Sequence, residues 1–133
     1  MKREVFRVEP ISSFLERWSK LPAAPVTRAG NMVFVSGLPP FDPETGEIKQ
    51  VPFEQQAERV MAQMKHCLAA AGSSLGNVLK CNVYCTPEPS HFATSNAVYD
   101  RYFAGDNPAR IFVQVPSWPG PFDVEIDCVA VVG

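Results

Sequence analysis

Several features that would point to a particular class of protein are scarce in this chain of 133 residues. No apolar run approaches the roughly 20 residues that cross a bilayer, which argues against a membrane-spanning helix. The first ten residues, MKREVFRVEP, carry charge without an apolar segment behind them, so we expect no signal peptide and a cytoplasmic protein. Lys and Arg number 12 against 14 acidic residues, giving a net charge of −2. With a sequence pI of 5.6, the chain lacks the basic footprint of nucleic-acid-binding proteins.

Nitrogen and sulfur ligands for a metal are also few. They comprise two histidines, His66 and His91, and four cysteines, Cys67, Cys81, Cys85 and Cys128. Free cysteine is among the most buried residue types, and disulfides are rare in cytosolic proteins. We therefore interpret the cysteines as small buried hydrophobic residues, and we expect neither a metal site nor a disulfide.

What is present is the composition of an ordinary globular protein, with 46% hydrophobic and 20% charged residues. The length predicts one domain, residues 1–133, that can bury a core. No linker, repeat or low-complexity tract interrupts it, and the 13 prolines fall mostly between predicted elements.

Hydrophobic periodicity predicts a helix over residues 52–72. Apolar residues recur there at i, i+3, i+4 and i+7, and Gly72 ends the pattern. The apolar stripe consists of Phe53, Ala57, Val60, Met61, Met64, Cys67, Leu68 and Ala71. His66 falls with Arg59 and Gln63 on the opposite side, where we expect a solvated imidazole.

A second helix is predicted from Pro89 to Phe103. Ser90 is its candidate N-cap, and Phe92, Tyr99 and Phe103 are expected on its inner side. His91, in the first turn beside that cap, is expected to be exposed.

Five segments predict strands. They are NMVFVSG at residues 31–37, a hairpin-paired strand after the turn in FDPETGEIKQV, NVLKCNVYC at residues 77–85, RIFVQV and VEIDCVAVV. The N-terminal EVFRV is compatible with a further edge strand. Together with the helices, this order predicts an α+β fold, in which one mixed β-sheet has two helices packed on one face.

Alternation along the strands separates the two faces of that sheet. The set expected beneath the helices is Leu79, Cys81, Val83, Cys85, Ile111, Val113, Val115, Val124, Ile126 and Cys128. The other set is Asn82, Tyr84, Arg110, Phe112, Gln114, Glu125, Asp127, Val129 and Val131. This second face is too apolar for open water and yet holds a polar cluster. It therefore predicts a homo-oligomer with the cluster in or beside the subunit interface.

The polar cluster has both structural and functional interpretations. Arg110 is either a solvated strand end, half of an interface ion pair, or a clamp for a substrate carboxylate, which a guanidinium matches with two parallel hydrogen bonds. Glu125 is a candidate acid–base or water-positioning group, and Asp127 could instead be the structural partner of Arg110. Asn96 lies on the buried side of its helix, where it either bonds backbone or faces a pocket.

Several motifs together resemble the RidA/YjgF family. VSG is followed by DPETGEI, FATSNAVYDRYF, NPAR and VEID, in the order and spacing of that family, from about Pro22 to the end of the chain. The resemblance implies a chorismate-mutase-like fold and a homotrimer whose sheets face a central barrel, with a pocket at each subunit interface. It also implies hydrolysis of 2-imino or enamino acids to 2-keto acids and ammonia, with no metal and no organic cofactor.

The resemblance also implies roles for individual residues. Arg110 would hold the substrate carboxylate, and Glu125 would position or activate the water. The Ser36–Gly37 turn, Asn96 and the backbone around Ile111 would line the pocket.

Three departures from the family pattern bear on the substrate. LPAAPVTRAG replaces the tyrosine-bearing GPYSQA, Leu38 replaces the glutamine after SG, and PSWPGPFD places Trp118 and Phe122 where smaller aliphatic residues are common. The aromatic residues either line a larger, more apolar pocket or pack in the trimer, and the former favours an extended or ring-derived substrate. The alternative functions are a non-catalytic trimer that binds small carboxylates, an RNA-acting translation inhibitor and, from the fold alone, a chorismate mutase.

Overall fold

A computed structural model describes residues 1–18 and 20–133 of the chain. It contains six strands and three α-helices in that part of the chain. In order they are β1 (Glu4–Phe6), α1 (Ile11–Trp18), β2 (Val26–Ala29), β3 (Met32–Leu38), α2 (Phe53–Ala70), β4 (Val78–Cys85), α3 (Pro89–Phe103), β5 (Ala109–Gln114) and β6 (Val124–Val131). A single 3₁₀ turn, Leu75–Asn77, precedes β4. None of the described helices is long and apolar enough to cross a membrane.

All six strands form one mixed sheet in the order β1-β2-β3-β6-β4-β5. Only β4 and β5 run parallel, since α3 connects them as a crossover; the other neighbours are antiparallel. The predicted α+β architecture is confirmed, and EVF is the expected edge strand.

Helices α2 and α3 pack on one face of this sheet, as predicted. The core joins Val60 and Met64 of α2 and Val98 of α3 to Val83 and Ile126 of the sheet. The four cysteines are free and buried in this layer, which confirms their interpretation as small hydrophobic residues. Burial raises the pKa of each thiol, so the thiols stay protonated at neutral pH.

The first helix, α1, was not predicted, although its residues carry the pattern of an amphipathic helix. Ile11, Phe14, Leu15 and Trp18 recur at i, i+3, i+4 and i+7, and the first three are buried. The Glu9 carboxylate caps the helix by accepting hydrogen bonds from the Ser13 backbone N–H (2.9 Å) and hydroxyl (2.7 Å).

The prediction of a strand after the FDPETG turn is wrong. Residues 47–51 are not a strand, because both edges of β3 are already occupied by β2 and β6. The hairpin partner of β3 is β2, which precedes it in the chain.

The largest correction concerns β5. Arg110 pairs in register with Cys81 and Phe112 with Val83, so Arg110, Phe112 and Gln114 share the helix-covered face of β4. Ile111 and Val113 lie on the opposite face, with Asn82, Tyr84, Glu125 and Asp127. Apolar residues occur on both sides of this strand, so the alternation assigned the faces wrongly.

Three smaller expectations were also wrong. Leu79 is exposed, because the register shift between Val78 and Lys80 turns it out of the core. Gln63 is buried in α2. The N-cap of α3 is Glu88, because Pro89 takes the first helical position and Ser90 follows inside the helix.

The inner side of α3 is rotated relative to the prediction. It consists of His91, Ser95, Val98, Tyr99 and Phe103, whereas Phe92 is exposed. His91 is buried because its ring stacks on Phe53, with centroids 3.8 Å apart, and Nδ1 donates to the Thr86 carbonyl at 3.0 Å. His66 is exposed as expected, and its Nε2 donates to the Glu9 carbonyl at 2.9 Å.

Candidate active site

Glu125 is held on the face of the sheet that α2 and α3 leave open. It pairs in register with Tyr84, between the buried Val124 and Ile126 of β6. Its carboxyl lies against Gly37, where an added Cβ would be only 2.5 Å from Oε1, so this close approach requires glycine. No hydrogen-bond donor among the described residues reaches the carboxyl.

The environment of Glu125 makes its carboxyl suitable for proton transfer near neutral pH. Burial, followed by the nearby Asp127 charge, raises its pKa from 4.5 to about 7. A carboxyl with a pKa near the working pH can both take and return a proton. Groups with strongly shifted pKa values cluster at functional sites.

Asp127 has a different environment, although it lies two residues along the same face. Its Oδ1 accepts a hydrogen bond of 2.7 Å from Asn82 Nδ2, its register partner on β4. Asp127 is therefore held by a neutral amide, and it makes no ion pair with Arg110 in the part of the chain described.

A pocket of about 500 Å³ opens beside the Glu125 carboxyl. Its walls are mostly apolar and come from α1, the 21–25 segment, the end of β3 and the loop before β6. Ser36 lies in the wall, but its hydroxyl donates to the Ala24 carbonyl at 2.5 Å, which fastens the 21–25 segment to β3. Glu125 is therefore the one ionisable side chain among the described lining residues.

Trp118 forms part of the wall that faces these segments. Its ring stacks on Phe122, with centroids 5.7 Å apart, and meets Tyr84 edge-on at 6.2 Å. Its Nε1 is buried and has no hydrogen-bond partner among the described residues. The aromatic residues of PSWPGPFD thus line the pocket within this chain.

Arg110 lies in a separate cleft, between β5 and α3. Its Nη1 donates to Asn96 Oδ1 at 2.6 Å, and its guanidinium lies over the Tyr99 ring, with Cζ 5.1 Å from the centroid. No carboxylate of the described residues lies within 4 Å of it. Asn96 thus orients the guanidinium. Asp100 lines the same cleft but makes no ion pair with Arg110, so the positive charge remains available to an anion.

The predicted site residues therefore fall into two groups. Glu125, Ser36, Gly37 and Trp118 line one pocket. Arg110 and Asn96 line a cleft of about 410 Å³ on the other face of the sheet. Ile111 belongs to neither and is 48% exposed on the open face. Within one chain, Arg110 and Glu125 do not meet.

A buried polar network behind the pocket escaped the sequence analysis. Gln56 donates to the Val51 carbonyl and to Asp123 Oδ2 and accepts from the Asp123 backbone N–H. Asp123 Oδ1 in turn accepts from the Thr86 hydroxyl at 2.8 Å, and Thr86 contacts His91. Asp123 follows Phe122, which lies in the pocket wall, and precedes Glu125 by two residues. The network therefore holds the segment that joins these two lining residues in place. No group of three or more His, Cys, Asp or Glu side chains in the described part of the chain could hold a metal ion.

Comparison with known proteins gives concordant results. The model of the family described as endoribonuclease L-PSP matches residues 19–132. Protein DfrA of Myxococcus xanthus is 47% identical over 103 residues, covering 77% of this chain and 78% of that protein. The chloroplastic Reactive Intermediate Deaminase A of Arabidopsis thaliana is 32% identical over 130 residues, covering 98% of this chain and 66% of that protein.

The structural comparison agrees with the sequence matches. The crystal structure of E. coli TdcF with bound serine matches with a TM-score of 0.77 at 35% identity, covering 85% of this chain and 90% of that one. The similarity confirms the fold expected from the sequence motifs.

Proposed function

The chain belongs to the endoribonuclease L-PSP family, which includes the RidA/YjgF proteins, and from this premise we propose that it is a cofactor-independent enamine or imine deaminase. Its substrates would be 2-imino or enamino carboxylic acids, and its products 2-keto acids and ammonia. The observation that carries the proposal is the environment of Glu125. Its carboxyl lies beside an apolar pocket, accepts no hydrogen bond from the described residues, and has a pKa raised to about 7 by burial.

The proposed chemistry needs one group that moves protons. Water adds to C2 of the protonated imine while Glu125 takes a proton from that water, and the electron pair of the C=N bond moves to nitrogen. Glu125 then returns the proton to nitrogen. The hydroxyl of the intermediate re-forms C=O as the C–N bond breaks, releasing ammonia, and its proton leaves with the ammonia as ammonium. A protonated imine is already electrophilic, so orientation and acid–base catalysis supply the rate enhancement.

Arg110 is the proposed carboxylate clamp. Asn96 and Tyr99 hold the guanidinium without neutralising it, so its remaining N–H donors can bind a substrate carboxylate. The serine in the TdcF structure is itself a small carboxylate, which supports a site of this kind. Losing hydrogen bonds to a charged group reduces binding by about 10- to 100-fold.

Because the sheet separates the two groups of residues, we propose that each site combines two copies of the chain. One copy supplies Glu125 with its pocket, and a second supplies Arg110 with Asn96. The open face that carries Glu125 also exposes Phe34 (46%) and Ile111, as expected of a surface that another subunit covers. The expected assembly is the homotrimer of the family, with three such sites.

Ammonia release from imines generated by an amino-acid oxidase tests the activity. Arg110→Ala should lower kcat/KM by about 10- to 100-fold, and Glu125→Gln should lower kcat by at least about 100-fold. Arg101→Ala is the matched control, because Arg101 is an exposed arginine of α3 outside both clefts. Unchanged rates in both site variants would refute the proposal.

Mixing the two inactive variants tests the composite site. When Arg110→Ala and Glu125→Gln chains are unfolded together and reassembled, about a quarter of the interfaces in a randomly mixed cyclic trimer join an intact Glu125 to an intact Arg110. Activity should therefore reappear in the mixture, and its absence would place both residues in sites that one chain forms alone. In addition, a nearby guanidinium lowers a carboxyl pKa, so Arg110→Ala should move the pKa of Glu125 upward in the assembled protein.

Binding without turnover is the second candidate function. The missing pocket tyrosine and the serine complex of TdcF favour it. Calorimetric binding of a 2-keto acid that is lost in Arg110→Ala, kept in Glu125→Gln and accompanied by no imine hydrolysis would establish this alternative.

A further inference from the structure

The helix α1 forms part of the Glu125 pocket, although it precedes the segment that matches the family model. That match begins at residue 19, whereas Ile11, Leu15 and Trp18 of α1 line the pocket. Leu21 continues the same wall. The pocket that holds the proposed acid–base group therefore includes an element outside the matched family segment.

The helix is anchored firmly enough to shape a binding site. Ile11 and Leu15 are buried in the core, and the Phe14 ring meets Phe41 edge-on at 6.3 Å. The segment before α1 is fixed as well, because His66 on α2 donates to the Glu9 carbonyl. The wall is therefore part of the packed fold.

The outer part of this wall is apolar and accessible. Trp18 and Leu21 are each 52% exposed, and both line the pocket. The Trp18 ring is stacked on Phe14, with centroids 5.3 Å apart. Trp118 and Phe122 line the same pocket from the loop before β6.

The size of the pocket indicates what enters it. The part of the site that one chain forms has a volume of about 500 Å³, which lies within the range that encloses ligands of roughly drug size and is larger than a three-carbon imino acid. Aromatic walls favour an aromatic guest, because ring pairs add attraction beyond the apolar area that they bury. Glu125, the ionisable residue of the pocket, acts at the reacting carbon. The described walls that remain for the side chain of the substrate are therefore uncharged.

We propose that α1 and Leu21 are the specificity wall of this enzyme, and that its preferred substrates are 2-imino acids with a large apolar, aromatic side chain. This inference rests on the proposed function, because it assigns the reacting end of the substrate to Glu125 and Arg110. Trp18 and Leu21 are specificity-determining residues in it, and they take no part in proton transfer.

The test compares a large and a small substrate in matched variants. An amino-acid oxidase supplies the imines of phenylalanine and alanine, and the ratio of their kcat/KM values is measured. Trp18→Ala and Leu21→Ala should each lower the phenylalanine-to-alanine ratio by about 10-fold, through loss of rate with the aromatic imine. Leu79→Ala, which removes the same side chain as Leu21→Ala from a position 49% exposed and outside the pocket, should leave the ratio unchanged.

A binding measurement separates failure of the wall from failure of the proposed function. Calorimetry with phenylpyruvate and pyruvate should show tighter binding of the aromatic 2-keto acid, and Trp18→Ala should remove that preference. If no imine is hydrolysed but this preference is observed and lost in the variant, the deaminase proposal fails and the wall is supported. If imines are hydrolysed and the phenylalanine-to-alanine ratio is the same in the wild-type protein and in both wall variants, the proposed specificity wall is refuted and the deaminase proposal stands.

Discussion

Replacing Gln56 by leucine should destabilise the protein by about 3 kcal/mol, although the two side chains are similar in size. The Gln56 amide is fully buried and makes three hydrogen bonds. It donates to the Val51 carbonyl at 2.9 Å and to Asp123 Oδ2 at 3.1 Å, and it accepts from the Asp123 N–H at 2.8 Å. Leucine would leave all three partner groups without this bond.

The magnitude follows from how far water can reach those partners. A buried polar group left without a partner costs about 1–3 kcal/mol. Val51 and Asp123 are half-buried, so water compensates in part, and the low end of that range for each of the three groups gives about 3 kcal/mol. Gln56→Glu keeps the shape but turns a donor into a second carboxylate facing Asp123. Burial and like charge raise the pKa of the introduced carboxyl, so this variant should lose less stability as the pH falls.

Urea denaturation at a fixed protomer concentration measures both effects, because association contributes to the apparent stability. Gln55→Leu is the matched control, since it makes the same change at the exposed neighbouring position. A loss below about 1 kcal/mol in Gln56→Leu would mean that the network contributes no more than one ordinary hydrogen bond, and a loss in Gln56→Glu that does not change with pH would contradict the charge argument.

Three further outcomes follow from the site. On an Arg110→Ala background, Glu125→Gln should leave the free energy of unfolding unchanged below pH 4.5. Above pH 7 it should raise the free energy of unfolding by up to about 3 kcal/mol, the upper limit that the full pKa shift gives at about 1.4 kcal/mol per pH unit. The reason is that burial makes the folded chain hold a proton that the unfolded chain releases, so stability with Glu125 falls as the pH rises; a difference that is flat across pH in urea titrations would contradict it. Gly37→Ala should displace the Glu125 carboxyl and lower kcat by up to about 100-fold, with a small change in unfolding free energy, and an unaltered kcat in steady-state assays would mean that the contact is dispensable. Phe34→Asp should dissociate the assembly in sedimentation velocity, whereas Leu79→Asp, at a similarly exposed position, should not; an intact oligomer with Phe34→Asp would exclude the open face as the interface.

The parts of the fold that could be predicted are those where the pattern is local. The apolar stripe of α2 repeats over five turns, and β6 alternates strictly between buried and half-buried residues. Glu125 therefore fell on the correct face from the sequence alone. The same argument failed for β5, which carries Ile111 and Phe112 side by side. Its register is set by parallel pairing with β4 across the α3 crossover, and that contact is not local.

Other parts of the structure were missed, either because their pattern was too short to stand out or because it is not contained in the sequence. The four apolar residues of α1 had helical spacing, but eight residues are too few for periodicity to stand out. Arg110 was recognised as a cation at the start of a strand. Its contact with Tyr99 depends on how α3 is rotated over the sheet, which the sequence pattern does not give. The partners of Gln56 lie as far as 67 positions away, and no spacing rule finds them.

The central position of β6 has a consequence for how the chain acquires its structure during synthesis. β6 lies between β3 and β4, so the strands β1-β2-β3 and the pair β4-β5 have no sheet contact with each other until residues 124–131 are present. A nascent chain stalled before that point can form a hairpin and a crossover unit, but it holds two unjoined halves with open edges. Glu125 thus leaves the ribosome within the segment that closes the sheet, so the proposed acid–base group and the completed core become available in the same step.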